Sequence, residues 1–148
     1  MEYCNSILLK IQTRDKGSRT VMYFNTYSYL SFNWIKEAFY PNKNKIVLTC
    51  IEQFFTLLAL AIWIIDDGDI ISNGLRIVTN SFTLNDVTFL ASILTNKYNL
   101  KISIYKVKDK DQWVIYIHKS SLRKLALIIG LYLHSSMIYK LNEVTQLL

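Results

Sequence analysis

Two adjacent aspartates, Asp66 and Asp67, close an apolar run that begins at Phe54. From Phe54 to Ile65 eleven of the twelve residues are apolar, Thr56 being the exception, and Gly68 follows the acids at once. A helix that is apolar all round must be buried on all sides. Carboxylates at its end then sit at the edge of a dry region, where an ionised group is costly unless a cation or hydrogen-bond donors satisfy it. A hard divalent ion with oxygen ligands meets that need. On the residues alone a plainer reading stays open: a buried core helix ended by a solvated Asp-Asp-Gly turn.

Other chemistries find less support. His118 and His134 have no partner at metal-ligand or catalytic spacing and read as satisfied or exposed histidines. Cys4 and Cys50 stand apart, with no paired spacing that implies a metal or a disulfide. There is no Gly-rich phosphate loop, no Cys–His arrangement and no nucleophile elbow.

Composition narrows the partners. The 148 residues are 51% apolar, enough for one compact domain with a core. A net charge of +6 and a pI near 9.3 favour a polyanion, nucleic acid or an anionic membrane face, although +6 also serves plain solubility. The apolar run is too short for a membrane span, which takes about 20 residues. Met1-Glu2-Tyr3-Cys4 carries an acid where a signal or transit peptide wants bases, so none is expected. The richness in Ile, Leu, Asn, Lys and Tyr is compatible with an AT-rich genome such as an organelle's.

The elements that must position these groups follow from periodicity. Residues 5–12 and 19–25 read as a hairpin with a polar turn over 13–18. Thr26 or Ser28 caps a helix to about Ala38, and Tyr40–Lys45, with the only Pro, is the clearest linker. A helix over 51–65 is followed by a hairpin turning at Asn73-Gly74, the preferred type I′ pair. Thr83 or Asn85 caps a helix to about Lys97 with Val87, Leu90, Ala91 and Leu94 on one face. Leu100, Ile102 and Ile104 alternate with Lys101, Ser103 and Tyr105, as in a half-buried strand. Lys106–Gln112 is a charged turn and Trp113–His118 the return strand. Ser120 or Ser121 starts a helix that ends near Gly130. Residues 135–148 read as a last short helix.

Several of these stretches together resemble one family. Leu60-Ala61-Ile62-Trp63-Ile64-Ile65-Asp66-Asp67-Gly68 is similar to the signature helix of the LAGLIDADG homing endonucleases, in the form of the second repeat of their single-chain members. Thr79-Asn80-Ser81-Phe82-Thr83 resembles the family's Thr-Gln-Ser-Phe-Thr segment. Phe89-Leu90 and Asn96–Leu100 resemble its next helix and turn, Met137–Leu141 its closing Met-x-Tyr-Lys-Leu, and Phe39–Asn42 the link before the second signature helix. The matches keep their order over about 110 residues, which makes the pattern specific.

The resemblance implies an α+β fold: an αββαββα repeat with an antiparallel, saddle-like sheet backed by helices. One complete repeat is expected over 46–148, after a partial ββα half-repeat and linker over 1–45. It implies cleavage of double-stranded DNA with divalent metal ions, usually Mg2+, with one acid from each signature helix. Asp67 matches that acid, both as metal ligand and as catalytic residue, and Asp66 a position less directly tied to metal. Lys140 matches a basic residue that stabilises the phosphate or water network, and Asn80 falls where the family often has Gln.

A two-stranded ribbon fits the major groove of DNA, so the strands are the expected nucleic-acid surface. Candidates there are Lys10, Arg14, Lys16 and Arg19 on the first hairpin. On or beside the later strands they are Arg76, Lys101, Ser103, Tyr105, Lys106, Lys108, Lys110 and Lys119. Any one of these lysines taken alone reads as part of a solvated face. With no first signature helix in the sequence, Leu57, Leu60, Ala61 and Ile64 are expected to need cover from a second chain or a larger assembly. Function is expected to be nucleic-acid binding, with reduced or no autonomous cleavage, in a protein of mitochondrial or other organellar, intron-encoded origin. The rivals are an RNA-binding protein, as an intron maturase or a ribosome component, and an active endonuclease completed by a second chain. A structural protein whose apolar helix packs into an assembly is the weakest of the readings.

Overall fold

The structure, a computed structural model, describes residues 8–16, 19–26 and 29–141. Cys4, Gly17, Ser18, Ser28 and the end of the expected last helix, 142–148, lie outside the described residues. The chain divides into two units, Met1–Ala38 and Phe39–Leu148.

The first unit holds the expected hairpin. Strands β1 (Leu8–Lys16) and β2 (Arg19–Thr26) pair antiparallel, from Lys10 opposite Asn25 to Lys16 opposite Arg19, with an irregularity between Leu8 and Lys10. Strand β1 runs on through Thr13–Lys16, where the sequence predicts a turn, because the ladder continues opposite Thr20, Val21 and Met22. A 3-10 turn over Leu30–Phe32 leads into α1 (Asn33–Phe39), which is shorter than the expected helix.

The second unit contains α2 (Ile51–Phe54), α3 (Leu57–Asp67), β3 (Gly68–Ile71), β4 (Gly74–Val78), α4 (Leu84–Tyr98), β5 (Ile102–Lys106), β6 (Trp113–His118) and α5 (Lys119–Ile129). Two 3-10 stretches, Gly130–Tyr132 and Ser135–Leu141, close it. From α3 to α5 the order is αββαββα, as expected. The four strands form one antiparallel sheet in the order β3-β4-β6-β5. Alternate residues Leu75, Ile77, Ile115 and Ile117 are fully buried on one face. They join the inward sides of α3, α4 and α5 in a single core. No helix among the described residues is long and apolar enough to cross a membrane.

The long apolar helix differs from expectation in two ways. It is broken: α2 ends at Phe54, and Thr56, in an extended conformation, accepts a hydrogen bond from the Ala59 N–H on its side chain at 3.2 Å. The one polar residue of the run is thus the N-cap that starts α3. The last turn of α4 secures the break, since Tyr98 donates its hydroxyl to the Phe55 carbonyl at 2.5 Å and Lys97 its ammonium to the Glu52 carbonyl at 3.1 Å. Burial pushes the Tyr98 hydroxyl pKa up. The helix is also not buried on all sides. Leu60, Ala61 and Ile64 face the core with no exposure, whereas Leu58 and Ile62 are 49% and 56% exposed. Three of the four residues expected to lack cover are therefore the most buried. A 3.6-residue period puts 60, 61 and 64 on one side and 58 and 62 on the other.

Turns and caps show smaller shifts. The β3–β4 hairpin turns at Ser72-Asn73, with Ile71 paired to Gly74. Gly74 serves a different need, because a Cβ there would collide with the Ile117 carbonyl and the Tyr116 ring. Thr83 caps α4 in a reciprocal box with Asp86, and Asn99 ends it in the left-handed region at φ 51°. Helix α5 starts at Lys119, and at Gly130 the chain tightens into a 3-10 turn without a left-handed cap.

Candidate nucleic-acid interface and acidic cleft

Asp66 and Asp67 form the last turn of α3, and both are exposed. The chain then leaves the helix so sharply that a Cβ on Gly68 would collide with the Ile64 carbonyl, which the Gly68 N–H caps. This close approach explains a glycine after the two acids. The Gly68 carbonyl accepts a hydrogen bond from Lys140 Nζ at 2.5 Å. Lys140 is half-buried, with its ammonium 5.9 Å from the Tyr139 ring centre. It is therefore not a freely solvated lysine: it is tethered to the turn that follows Asp67.

Asp67, and not Asp66, lines two hollows. One, of about 250 Å3, is mainly apolar and includes Phe39, Val47, Ile51, Phe55, Trp63 and Phe82. The other, of about 200 Å3, is polar and is lined by Lys45, Asp67, Val78, Thr79, Asn80, Ser81 and Phe82. Thr79 is buried, and its hydroxyl donates to the Trp113 carbonyl at 2.5 Å, which anchors the floor. Asn80 is exposed in the turn that the Phe82 N–H closes onto the Thr79 carbonyl. Lys45, which the sequence assigns to a linker, reaches both hollows. Nothing in its spacing marks it, and only the folded chain brings it to Asp67.

The donor set fits a magnesium-type ion. Such an ion uses one or two carboxylates and fills the rest of its shell with substrate phosphate and water. Asp67 can supply one carboxylate. Among the described residues no group of three His, Cys, Asp or Glu side chains forms a self-sufficient cage.

The sheet face away from the core carries its own network. Strand pairing aligns Asp69, Arg76, Tyr116 and Ser103 in one row across the four strands. Arg76 bonds Asp69 at 2.7 Å, a pair with both side chains about half exposed and worth little by itself. Ser103 Oγ bonds His118 Nε2 at 2.7 Å, so this histidine is satisfied, as expected. Tyr116 stacks edge-on to Tyr105 at 5.6 Å and to His118 at 5.1 Å, and its hydroxyl is held by the Asn73 carbonyl. The face is thus an aromatic and hydroxyl platform, with Arg76 as the cation set into it.

The other sequence candidates surround or leave that platform. Lys101 precedes β5 with an exposed side chain, its N–H bonded to Ser121 Oγ at 2.8 Å. Lys106 shares the strand face of Ile102 and Ile104, pairs with Asp111 at 3.1 Å and lies 5.6 Å over Trp113. Lys108 and Lys110 are exposed in the β5–β6 turn. Lys119 opens α5, and its N–H bonds the Asn73 carbonyl at 2.9 Å. Lys10, Arg14 and Lys16 lie on β1 and Arg19 on β2, in the first unit. His134 bonds Ser136 at 2.8 Å, and Cys50 is an exposed free thiol.

Comparison with known proteins places this geometry. Residues 1–125 match the sequence profile of the LAGLIDADG DNA endonuclease family. The chain is 45% identical over 120 residues to the intron-encoded endonuclease ai4 of Dictyostelium discoideum, covering 80% of this chain and 76% of that one. It is 40% identical over 144 residues to the cytochrome b mRNA maturase bI2 of Debaryomyces hansenii, covering 95% of this chain. It spans 55% of that relative's length. Among solved structures, the homing endonuclease I-WcaI bound to its DNA recognition sequence superimposes with a TM-score of 0.73 at 24% identity. That alignment covers 94% of this chain and 66% of that one, and it shows a shared fold.

Proposed function

The chain belongs to the LAGLIDADG DNA endonuclease family, and from that premise we propose that it binds nucleic acid through the open face of its sheet. The family generally uses divalent metal ions, and magnesium is the ion proposed here. The observation that carries the reading is the arrangement of one exposed carboxylate, Asp67, at the end of a helix whose following strand starts the sheet. A polynucleotide lying on Arg76, Tyr105 and Tyr116 would bring its backbone to that carboxylate.

Asp67 would hold the ion as its single protein ligand from this chain. When bound, the ion supplies Lewis-acid polarisation of the scissile phosphate and an acidified water. Lys140, fixed by Gly68, would offer its remaining N–H groups to a phosphate oxygen as a point charge. Asn80 would orient water or phosphate from the cleft wall. Two-metal phosphoryl chemistry needs more carboxylate than Asp67 alone, so autonomous cleavage is reduced or lost unless a second chain or a further segment adds an acid. In this reading 1–45 is a partial first repeat with its linker and 46–148 a complete repeat. Origin is organellar and intron-encoded, in line with the names of its relatives.

A second reading is favoured by the maturase relative: the same surface would hold intron RNA in splicing. One experiment separates the two. The purified chain is incubated with Mg2+ and plasmids carrying candidate genomic targets, and nucleic acid that copurifies with it is sequenced. Specific double-strand cuts that vanish in Asp67→Asn support the endonuclease. A copurified intron RNA without cuts supports the maturase. Failure to hold either polymer would overturn the nucleic-acid reading.

A further inference from the structure

We propose that the polar hollow beside Asp67 is a subsite for one backbone phosphate of the bound nucleic acid, next to the phosphate at Asp67, and that Lys45 holds it. The proposal rests on the nucleic-acid reading above and deepens it.

The two residues that follow Lys45 are anchored by their backbone N–H groups. The Ile46 N–H bonds the Phe39 carbonyl at 3.0 Å, and the Val47 N–H bonds Asp86 Oδ1, on the first turn of α4, at 3.2 Å. The Lys45 side chain is half-buried, with its ammonium 4.4 Å from the centre of the Phe82 ring. A ring face helps hold a cation but does not neutralise it. Among the described residues no carboxylate pairs with Lys45. An ammonium with no paired carboxylate keeps its N–H donors and its charge available to an external anion.

The remaining walls suit a phosphodiester. Asn80 and Ser81 line the hollow, and no described residue holds the Asn80 amide or the Ser81 hydroxyl. A positive point charge with neutral donors around it is the usual environment of a backbone phosphate. A second metal ion is the wrong occupant, because the Lys45 charge would repel it and Asp67 is the hollow's single acid. The apolar hollow on the other side of Lys45 offers no comparable donors.

The test uses the full chain and two probes, a mixed-sequence DNA duplex and a mixed-sequence single-stranded RNA. Binding is followed by fluorescence anisotropy over a salt series in EDTA, for wild type, Lys45→Met and Lys45→Arg. Methionine keeps an apolar stem on Phe82 and removes only the charge. Lys45→Met should lower the logarithmic salt slope by about 0.9 on duplex or about 0.7 on single-stranded RNA, while Lys45→Arg keeps the slope. The probe whose slope responds identifies which polymer supplies the phosphate. With Ca2+ in place of EDTA, Lys45→Met and Asp67→Asn should be non-additive, as neighbouring sites are. An unchanged slope in Lys45→Met, while wild type binds, overturns the subsite alone. A slope lost equally in Lys45→Arg makes Lys45 a packing residue and also overturns it. Wild type that binds neither probe overturns the nucleic-acid reading and the subsite together.

Discussion

Helix α3 is apolar on both of its sides, yet the two sides live in different surroundings. Leu60, Ala61 and Ile64 are fully enclosed by the sheet and by α5, while Leu58 and Ile62, one turn apart, stand largely in solvent. Hydrophobicity along the helix is nearly constant, so hydrophobicity did not choose the inward side. The choice is made at the two ends. Thr56 sets where the first turn begins, and Gly68 sets the direction in which the chain leaves. With both ends fixed, the phase of the helix is fixed, and with it which residues meet Leu75 and Ile77. Among the described residues the outward apolar side takes no part in the core.

The largest expected effect tests the inward side. Ile64→Ala removes a fully buried side chain between helix and sheet, and should cost about 2–5 kcal/mol in urea unfolding. A cost below about 1 kcal/mol, the level of a surface change, would erase the contrast between the two sides.

The exit of the helix comes next. Gly68→Ala places a methyl group against the Ile64 carbonyl, a backbone atom that cannot step aside without moving the last turn. About 1–3 kcal/mol is expected, in the range of overpacked sites. The same shift would displace Asp67 and the Gly68 carbonyl that tethers Lys140. Metal-stimulated nucleic-acid binding should therefore fall more than stability does. Equal losses in both would mean that the exit does not set the cleft.

The entry is smaller in effect. Thr56→Ala removes the cap on the Ala59 N–H and should cost about 1 kcal/mol. Thr56→Ser should restore most of it. Rescue failing with Ser would mean that packing, not the hydroxyl, sets the start of the helix.

These residues also show what the sequence could disclose. The αββαββα order was legible because the strands alternate and because Thr83, Asn99 and the charged β5–β6 turn punctuate the chain chemically. Asp66 and Asp67 stand out in the sequence because together they end a run with no other charge. The break at Thr56 was not legible, since a threonine inside eleven apolar neighbours reads as a tolerated exception until Tyr98 and Lys97 are seen holding the carbonyls before it. The inward side of α3 was illegible for the reason already given: every phase of an all-apolar helix looks alike. Gly74 misleads because Asn-Gly is a strong turn signal, whereas this glycine answers to a carbonyl on the neighbouring strand β6, at Ile117. Lys45 carried no signal at all. It lies 22 residues before Asp67 in the sequence, in a stretch of lysines and asparagines, and only tertiary structure joins them.

The smallest expected effect bears on the outward side. Ile62→Gln keeps an alkyl stem, favours the helix slightly and leaves the enclosed residues untouched. Its cost in the isolated chain should stay within about 0.5 kcal/mol, and Leu58→Gln should behave alike. If either variant loses stability on the scale of Ile64→Ala, the outward side belongs to this chain's own fold. If both are neutral, the double variant becomes a probe of the partner. Sedimentation of wild type should show more concentration-dependent association than the double variant, since two exposed apolar side chains one turn apart form the centre of any helix-on-helix contact there. A neutral double variant that associates as wild type does would place the partner's contact elsewhere on the chain.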